Sequence, residues 1–271
     1  MNGKNLIYQY WDGKIRPSVY AGVTAMNKYA QKIMSDYKFE DNPCYIHDRR
    51  FGNYSAHYGA FKPVFEAPYN EYDHVLFADT DVFPVNGLEE NIFEGFKGHI
   101  GICTEPFQPK QRRITLGRIT SESDEKWAKM VKDEWGVDVP RTEEGLVKVY
   151  NTGVVLYSNE GMKYAREHWP SFDKYVNLCR KTGLDSFYTC DQPYLHAMMF
   201  VTDMNVVEMD NGWNSYIHGT KDKFQPKRRI MDWRNKNTKF VHCQFPGADD
   251  MSEEQLLKVV NLPRDQWGYD I

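Results

Sequence analysis

Asp79 and Asp81, separated only by Thr80, end the apolar run Val75-Leu76-Phe77-Ala78. Such a run reads as a strand buried on both faces. Two carboxylates one residue apart at its end can face one crevice and hold a hard divalent cation. His242 closes a later apolar stretch, Phe240-Val241, and offers an imidazole to the same kind of ion. Asp79 and Asp81 are therefore a candidate metal site suited to Mn2+ or Mg2+, and His242, were it to join them, would favour Mn2+. Each residue also has a plainer reading. The acids would be a solvated turn, and His242 a buried imidazole satisfied by backbone.

Four other groups have chemistry-bearing side chains. Asn151 lies at the start of the run Tyr150 to Ser158, and Asp191-Gln192 opens a helix-patterned stretch. A turn amide and a helix N-cap are their plainer roles. Tyr8, Tyr10 and Trp11 follow the first strand-like stretch, where they can pack on a base, with Asp12 reaching its polar edge. Lys62 stands on the segment before the acidic pair.

The elements that must position these groups alternate. Asn5 to Tyr10 reads as a strand, Val19 to about Met34 as a helix, Ser55 to Phe65 as a second helix, and Tyr72 to Ala78 as the strand delivering the acids. His99 to Thr104, Lys148 to Tyr157, Asn205 to Met209 and Lys239 to His242 are further strands. Ser121 to Glu134, Gly161 to Arg180 and Asp191 to Met199 are helices. Ser252-Glu253-Glu254-Gln255 is a capping box opening a last helix that runs to about Val260. No Pro/Gly/Ser-rich linker divides the 271 residues, so the expectation is one α/β domain over 1–271 with function at the carboxyl ends of its strands.

Composition excludes several classes. No apolar run approaches the roughly 18 residues of a spanning helix. Met1 to Asn5 lacks the apolar segment of a signal peptide, so a cytoplasmic protein is expected. The five cysteines are scattered without a C-x-x-C spacing, which argues against a disulfide framework or a structural zinc site. Net charge is −4, yet Lys110, Arg112, Arg113 and Arg118 form one basic cluster and Lys221 to Lys239 another that includes Lys227, Arg228 and Arg229. Both are expected either to be solvated loop faces or to touch a polyanionic acceptor.

Four segments, in order, carry a resemblance. Leu76-Phe77-Ala78-Asp79-Thr80-Asp81-Val82 resembles the D-x-D strand of metal-dependent nucleotide-sugar glycosyltransferases of the GT-A fold. Tyr150 to Ser158 is similar to the N-[AST]-G-[VM] strand of family 8, the glycogenin and lipopolysaccharide galactosyltransferase type. Cys190 to His196 resembles that family's D-Q-x-x-L-N segment, and Lys239 to His242 its late metal-ligand strand. The family's G-x-x-K-P-W stretch after the histidine is absent, and Cys243-Gln244-Phe245-Pro246-Gly247 stands there instead.

The resemblance implies a single-domain, Rossmann-like GT-A fold with a mixed, mostly parallel central sheet flanked by helices. Its nucleotide-binding part would cover about 1–105, and its acceptor and metal-completing part about 106–271. It further implies transfer of a sugar from a nucleoside-diphosphate sugar, a UDP-sugar above all, with retention by front-side attack. Asp191, Gln192 and Asn151 would line the sugar pocket, while Tyr8, Tyr10, Trp11, Asp12, Lys62 and Thr80 would face the donor. Without the family's lysine, His218, Lys221 and Lys223, or Lys227 to Arg229, would supply positive charge to the diphosphate. The stretch Gly101 to Phe107 also resembles glycosyltransferases of tailed phages, some of which modify hydroxymethylated cytosine in DNA. Such an acceptor in a host cytoplasm is one expectation, with Lys110, Arg112, Arg113, Lys227, Arg228 and Arg229 on its phosphates. A polysaccharide, lipopolysaccharide or protein hydroxyl is the other. From other classes, a metal-dependent phosphoesterase and a non-catalytic nucleotide-sugar-binding module stay open.

Overall fold

The computed structural model describes residues 3–45, 56–105, 119–220 and 229–268. A six-stranded sheet lies at its centre, ordered β2-β1-β3-β6-β5-β7. Its strands are β1 (Asn5–Trp11), β2 (Asp36–Asp41), β3 (His74–Ala78), β5 (Ile100–Thr104), β6 (Tyr150–Ser158) and β7 (Val206–Glu208). All run parallel except β6, which is antiparallel to both its neighbours. A second sheet, ordered β4-β10-β8-β9, joins β4 (Val82–Pro84), β10 (Phe240–Gln244), β8 (Ser215–Thr220) and β9 (Arg229–Asp232). The helices among the described residues are α1 (Pro17–Lys32), α2 (Lys62–Phe65), α3 (Ser121–Trp135), α4 (Asn159–His168), α5 (Phe172–Thr182), α6 (Asp191–Val201) and α7 (Glu253–Asn261).

Strand alternation builds two cores from one sheet. Leu6, Tyr8, Val75, Phe77, Val155 and Tyr157 face one side, and Ile7, Leu76, Ala78, Val154 and Leu156 the other. Helices cover both faces, so β3 and β6 must be apolar at successive positions rather than alternating. That is why the run before Asp79 is legible as a strand. The third cluster packs α7 on the second sheet through Ile217, Val241, Leu256 and Val259.

Where the structure departs from the sequence reading, the causes are local. The helix expected over Gly161 to Arg180 is two helices, because Pro170 disfavours the helical conformation at Trp169, which is extended at φ −69° and ψ 127°. Ser171 then caps α5 through a bond from the Lys174 amide. The expected Ser55 to Phe65 helix is, among described residues, a 3-10 stretch at 56–61 followed by the short α2. Strand β2 carries charged residues at Asp36, Lys38, Glu40 and Asp41, as a sheet edge does, and so lacks an apolar signature. Strands β8 and β9 are two further strands beyond those expected from the sequence. The capping box at Ser252 and Gln255 forms as expected. No helix among the described residues is long and apolar enough to cross a membrane.

Candidate active site

The loop Asp79-Thr80-Asp81 joins β3 of the large sheet to β4 of the small one. Backbone bonds fix it at three points. The Asp79 amide donates to the Gly153 carbonyl at 2.8 Å, the Asp79 carbonyl accepts from Gln9 Nε2 at 2.9 Å, and the Asp81 carbonyl accepts from the Cys243 amide at 2.9 Å. Helix α1 presses against it so closely that a Cβ on Gly22 would stand 1.8 Å from the Thr80 carbonyl oxygen. The register of β10 on β4 pairs His242 with Val82 and so brings the imidazole to the acids.

His242 Nε2 lies 3.1 Å from Asp81 Oδ1 and 3.8 Å from Asp79 Oδ2. The three possible ligand atoms fall within 4.8 Å of one another. His242 is buried, whereas the two acids keep 43 % and 41 % of their side-chain surface open. Neither acid is paired with a lysine or arginine among the described residues. Burial and then Asp81 raise the Asp79 carboxyl to about 7, with His242 opposing. Water reaches that side chain, which weakens both the burial cost and the repulsion from Asp81. Burial disfavours charge on His242, but Asp81 and Asp79 outweigh it and raise the imidazole above its ordinary value.

Two clefts meet at Asp81. One, of about 320 Å³, is lined by Tyr10, Trp11, Asp12, His57, Asp79 and Thr80, together with Asp81 and Asp249. The other, of about 520 Å³, is lined by Asp81, Glu105, Gln192, His218, Gln244 and Asp249 among others. Arg16, just before α1, pairs with Asp249, which lies on both walls. Burial lowers the His218 imidazole, with Gln244 opposing.

Asp191 begins α6, but its carboxylate does not cap it: Cys190 is the capping position and no side-chain cap bond forms. Instead Asp191 accepts a 2.5 Å bond from Thr152 Oγ1 and lies 3.5 Å from His57 Nδ1. Burial opposes charge on His57, and Asp191 more than offsets it, raising that imidazole.

Three expectations are corrected. Tyr8 is fully buried in the core, because strand parity turns it to the same face as Leu6 and Phe77, so it cannot meet a base. Lys62 lines neither of these clefts; its ammonium is bound to Glu40 of β2 at 2.5 Å. Asn151 is 3 % exposed, with both ends of its amide engaged by protein, so it backs the site rather than lining a sugar pocket. Lys110, Arg112, Arg113, Arg118, Lys221, Lys223, Lys227 and Arg228 lie outside the described residues, and Arg229 is described only as the first backbone position of β9. His57, Glu105, Asn214 and Gln244 were missed. Only Gln244, two positions from His242 on one strand, had any signal in the sequence.

No protein-family model and no curated protein matches the chain. Among solved structures it is similar to a glycosyltransferase involved in the glycosylation of the major capsid of PBCV-1, at 10 % identity over 95 % of this chain and 98 % of that one, with a TM-score of 0.52. It is also similar to the galactosyltransferase LgtC, solved with donor and acceptor sugar analogs, at 13 % identity over 96 % and 98 % of the two chains, with a TM-score of 0.51. A mixed sheet ending in an acidic loop, closed by a second sheet and matched end to end by these single-domain enzymes, gives the chain the GT-A glycosyltransferase fold.

Proposed function

We propose that the protein transfers a sugar from a nucleoside-diphosphate sugar to an acceptor hydroxyl, using a divalent cation held by Asp79, Asp81 and His242. One observation carries this reading: ligand atoms from sequence positions 79, 81 and 242 converge within 4.8 Å where two clefts meet. Two carboxylates and an imidazole, with no cationic side chain on either acid among the described residues, fit Mn2+ better than Mg2+. A bound cation would stabilise the charge that grows on a departing diphosphate.

The chain's own residues have complementary parts. Tyr10, Trp11 and Asp12 hold the nucleotide in the smaller cleft. Asp191, fixed by Thr152 and His57, and Gln192 on the larger cleft orient the sugar. The bond between the anomeric carbon and the diphosphate oxygen breaks, and the acceptor oxygen bonds to that carbon on the same face. The acceptor's proton passes to the departing diphosphate, so retention needs no protein nucleophile. The donor is a UDP-sugar and the acceptor a glycan hydroxyl, in keeping with the sugar analogs carried by LgtC.

A panel of nucleotide sugars with Mn2+ tests this reading, scored by release of nucleoside diphosphate with and without saccharide acceptors. Release from one donor that stops on chelation supports it. Hydrolysis of a nitrophenyl phosphate without any response to nucleotide sugars contradicts it, as does donor binding without turnover.

A further inference from the structure

Behind the imidazole of His242 runs a chain of buried amides in which every proton can be placed from its ends. The Gly153 backbone N–H can only donate, and it lies 2.7 Å from the side chain of Asn151, so the Asn151 atom facing it is Oδ1. The other end of that amide is then the NH2 group, which meets an obligatory acceptor, the Glu105 carboxylate. Asn214 approaches Asn151 Oδ1 at 2.9 Å and must do so with its own NH2. That leaves Asn214 Oδ1 facing His242 Nδ1 at 3.0 Å, and an oxygen there requires a proton on Nδ1. Neutral His242 therefore carries its lone pair on Nε2, the nitrogen 3.1 Å from Asp81 Oδ1. The Gln244 amide lies 3.1 Å from the same nitrogen and can donate to that lone pair when no cation takes it.

We infer that Glu105, Asn151 and Asn214 are positioning residues that hold the proton of His242 on Nδ1 and turn its Nε2 lone pair onto the cation site. The inference rests on the cation reading above. Glu105, Asn151, Asn214 and His242 are all at most 4 % exposed, so the bonds that link them are largely shielded from water. A metal-bound histidine characteristically donates its second N–H to a carboxylate or carbonyl. Here the carboxylate is reached through two amides, and each is polarised towards Glu105. Gly153 locks the arrangement. Its carbonyl anchors the Asp79 amide, its N–H orients Asn151, and a Cβ on it would stand 2.3 Å from His242 Cε1.

The test combines metal binding with the state of the free imidazole. Mn2+ affinity is measured by electron paramagnetic resonance on wild type, Glu105→Gln, Asn214→Leu and Asn214→Asp, and His242 is read by 15N resonance in metal-free protein at about pH 9. Wild type should show the Nδ1–H form. Asn214→Leu should lose that preference and weaken Mn2+ binding by about 10–100-fold. Asn214→Asp still accepts from Nδ1–H but meets Asn151 Oδ1 with a second acceptor, so it should keep the Nδ1–H form while recovering only part of the affinity. Glu105→Gln keeps an acceptor without the charge and should weaken binding by less than Asn214→Leu. Metal-free melting curves separate these effects from unfolding, and if Asn214→Leu does not fold, the two conservative variants decide. An Nε2–H wild type, or unchanged Mn2+ affinity in every folded variant, overturns the relay. A wild type that binds no Mn2+ overturns the cation reading, while the imidazole resonances still decide the proton assignment.

Discussion

Two carboxylate sites stand on the strands that flank β1 in the large sheet, and they are treated in opposite ways. On β2, Glu40 receives Lys62 at 2.5 Å, Lys38 at 2.6 Å, and the phenols of Tyr8 and Tyr69 at 3.1 and 3.2 Å. Burial works against its charge, but the two ammonium groups prevail and hold its carboxyl down at about 2. After β3, Asp79 and Asp81 have no ammonium partner among the described residues, and the Asp79 carboxyl is raised to about 7. The first cluster is neutralised by the chain itself and is structural. The second leaves negative charge without a lysine or arginine among the described residues to neutralise it, which is what the proposed cation would do.

Swapping acid for amide in each cluster should therefore have opposite effects. Asp81→Asn is expected to lower nucleoside-diphosphate release at least about 100-fold while leaving the melting temperature unchanged or higher, since it removes repulsion between like charges. Equal loss of stability and activity would place Asp81 with Glu40 as structural. Gly153→Ala should push the His242 ring aside, destabilise the protein by about 1–3 kcal/mol and weaken Mn2+ binding, measured by thermal unfolding and metal titration. Wild-type stability in that variant would mean the contact relaxes freely.

Glu40→Gln should act the other way, costing about 2 kcal/mol at neutral pH with turnover within about twofold of wild type. Its pH dependence has a definite sign. Because the folded carboxyl lies below its ordinary value of 4.5, its contribution is complete above that value and is lost as pH falls towards about 2. Urea midpoints of wild type and Glu40→Gln should therefore converge between pH 4.5 and 2, and a constant gap would show that Glu40 acts through packing rather than charge.

The sequence exposes the cation site unevenly. Asp79 and Asp81 are legible because Val75 to Ala78 is apolar at every position, as only a strand covered on both faces is. His242 is legible through its own short apolar strand. Their support is not. Asn214 ends the 3-10 turn Asn211–Asn214, and Glu105 follows β5 some 46 positions before Asn151; nothing in the local pattern says that they join one chain of bonds leading to the imidazole. Tyr8 misleads for a related reason: an aromatic residue on the first strand looks the same whether it faces a base or the core, and only the helices packed on that side decide. The charged edge strand β2 hides both itself and the Glu40 contacts that hold Lys62 away from the clefts at Asp81.

A Mn2+-soaked crystal, read by anomalous scattering at the manganese edge, tests the account most directly. One peak per chain is expected, coordinated by a carboxylate oxygen of Asp79, a carboxylate oxygen of Asp81 and Nε2 of His242, and it should vanish in Asp81→Asn. Full occupancy at another position, with these three side chains unliganded, would contradict it.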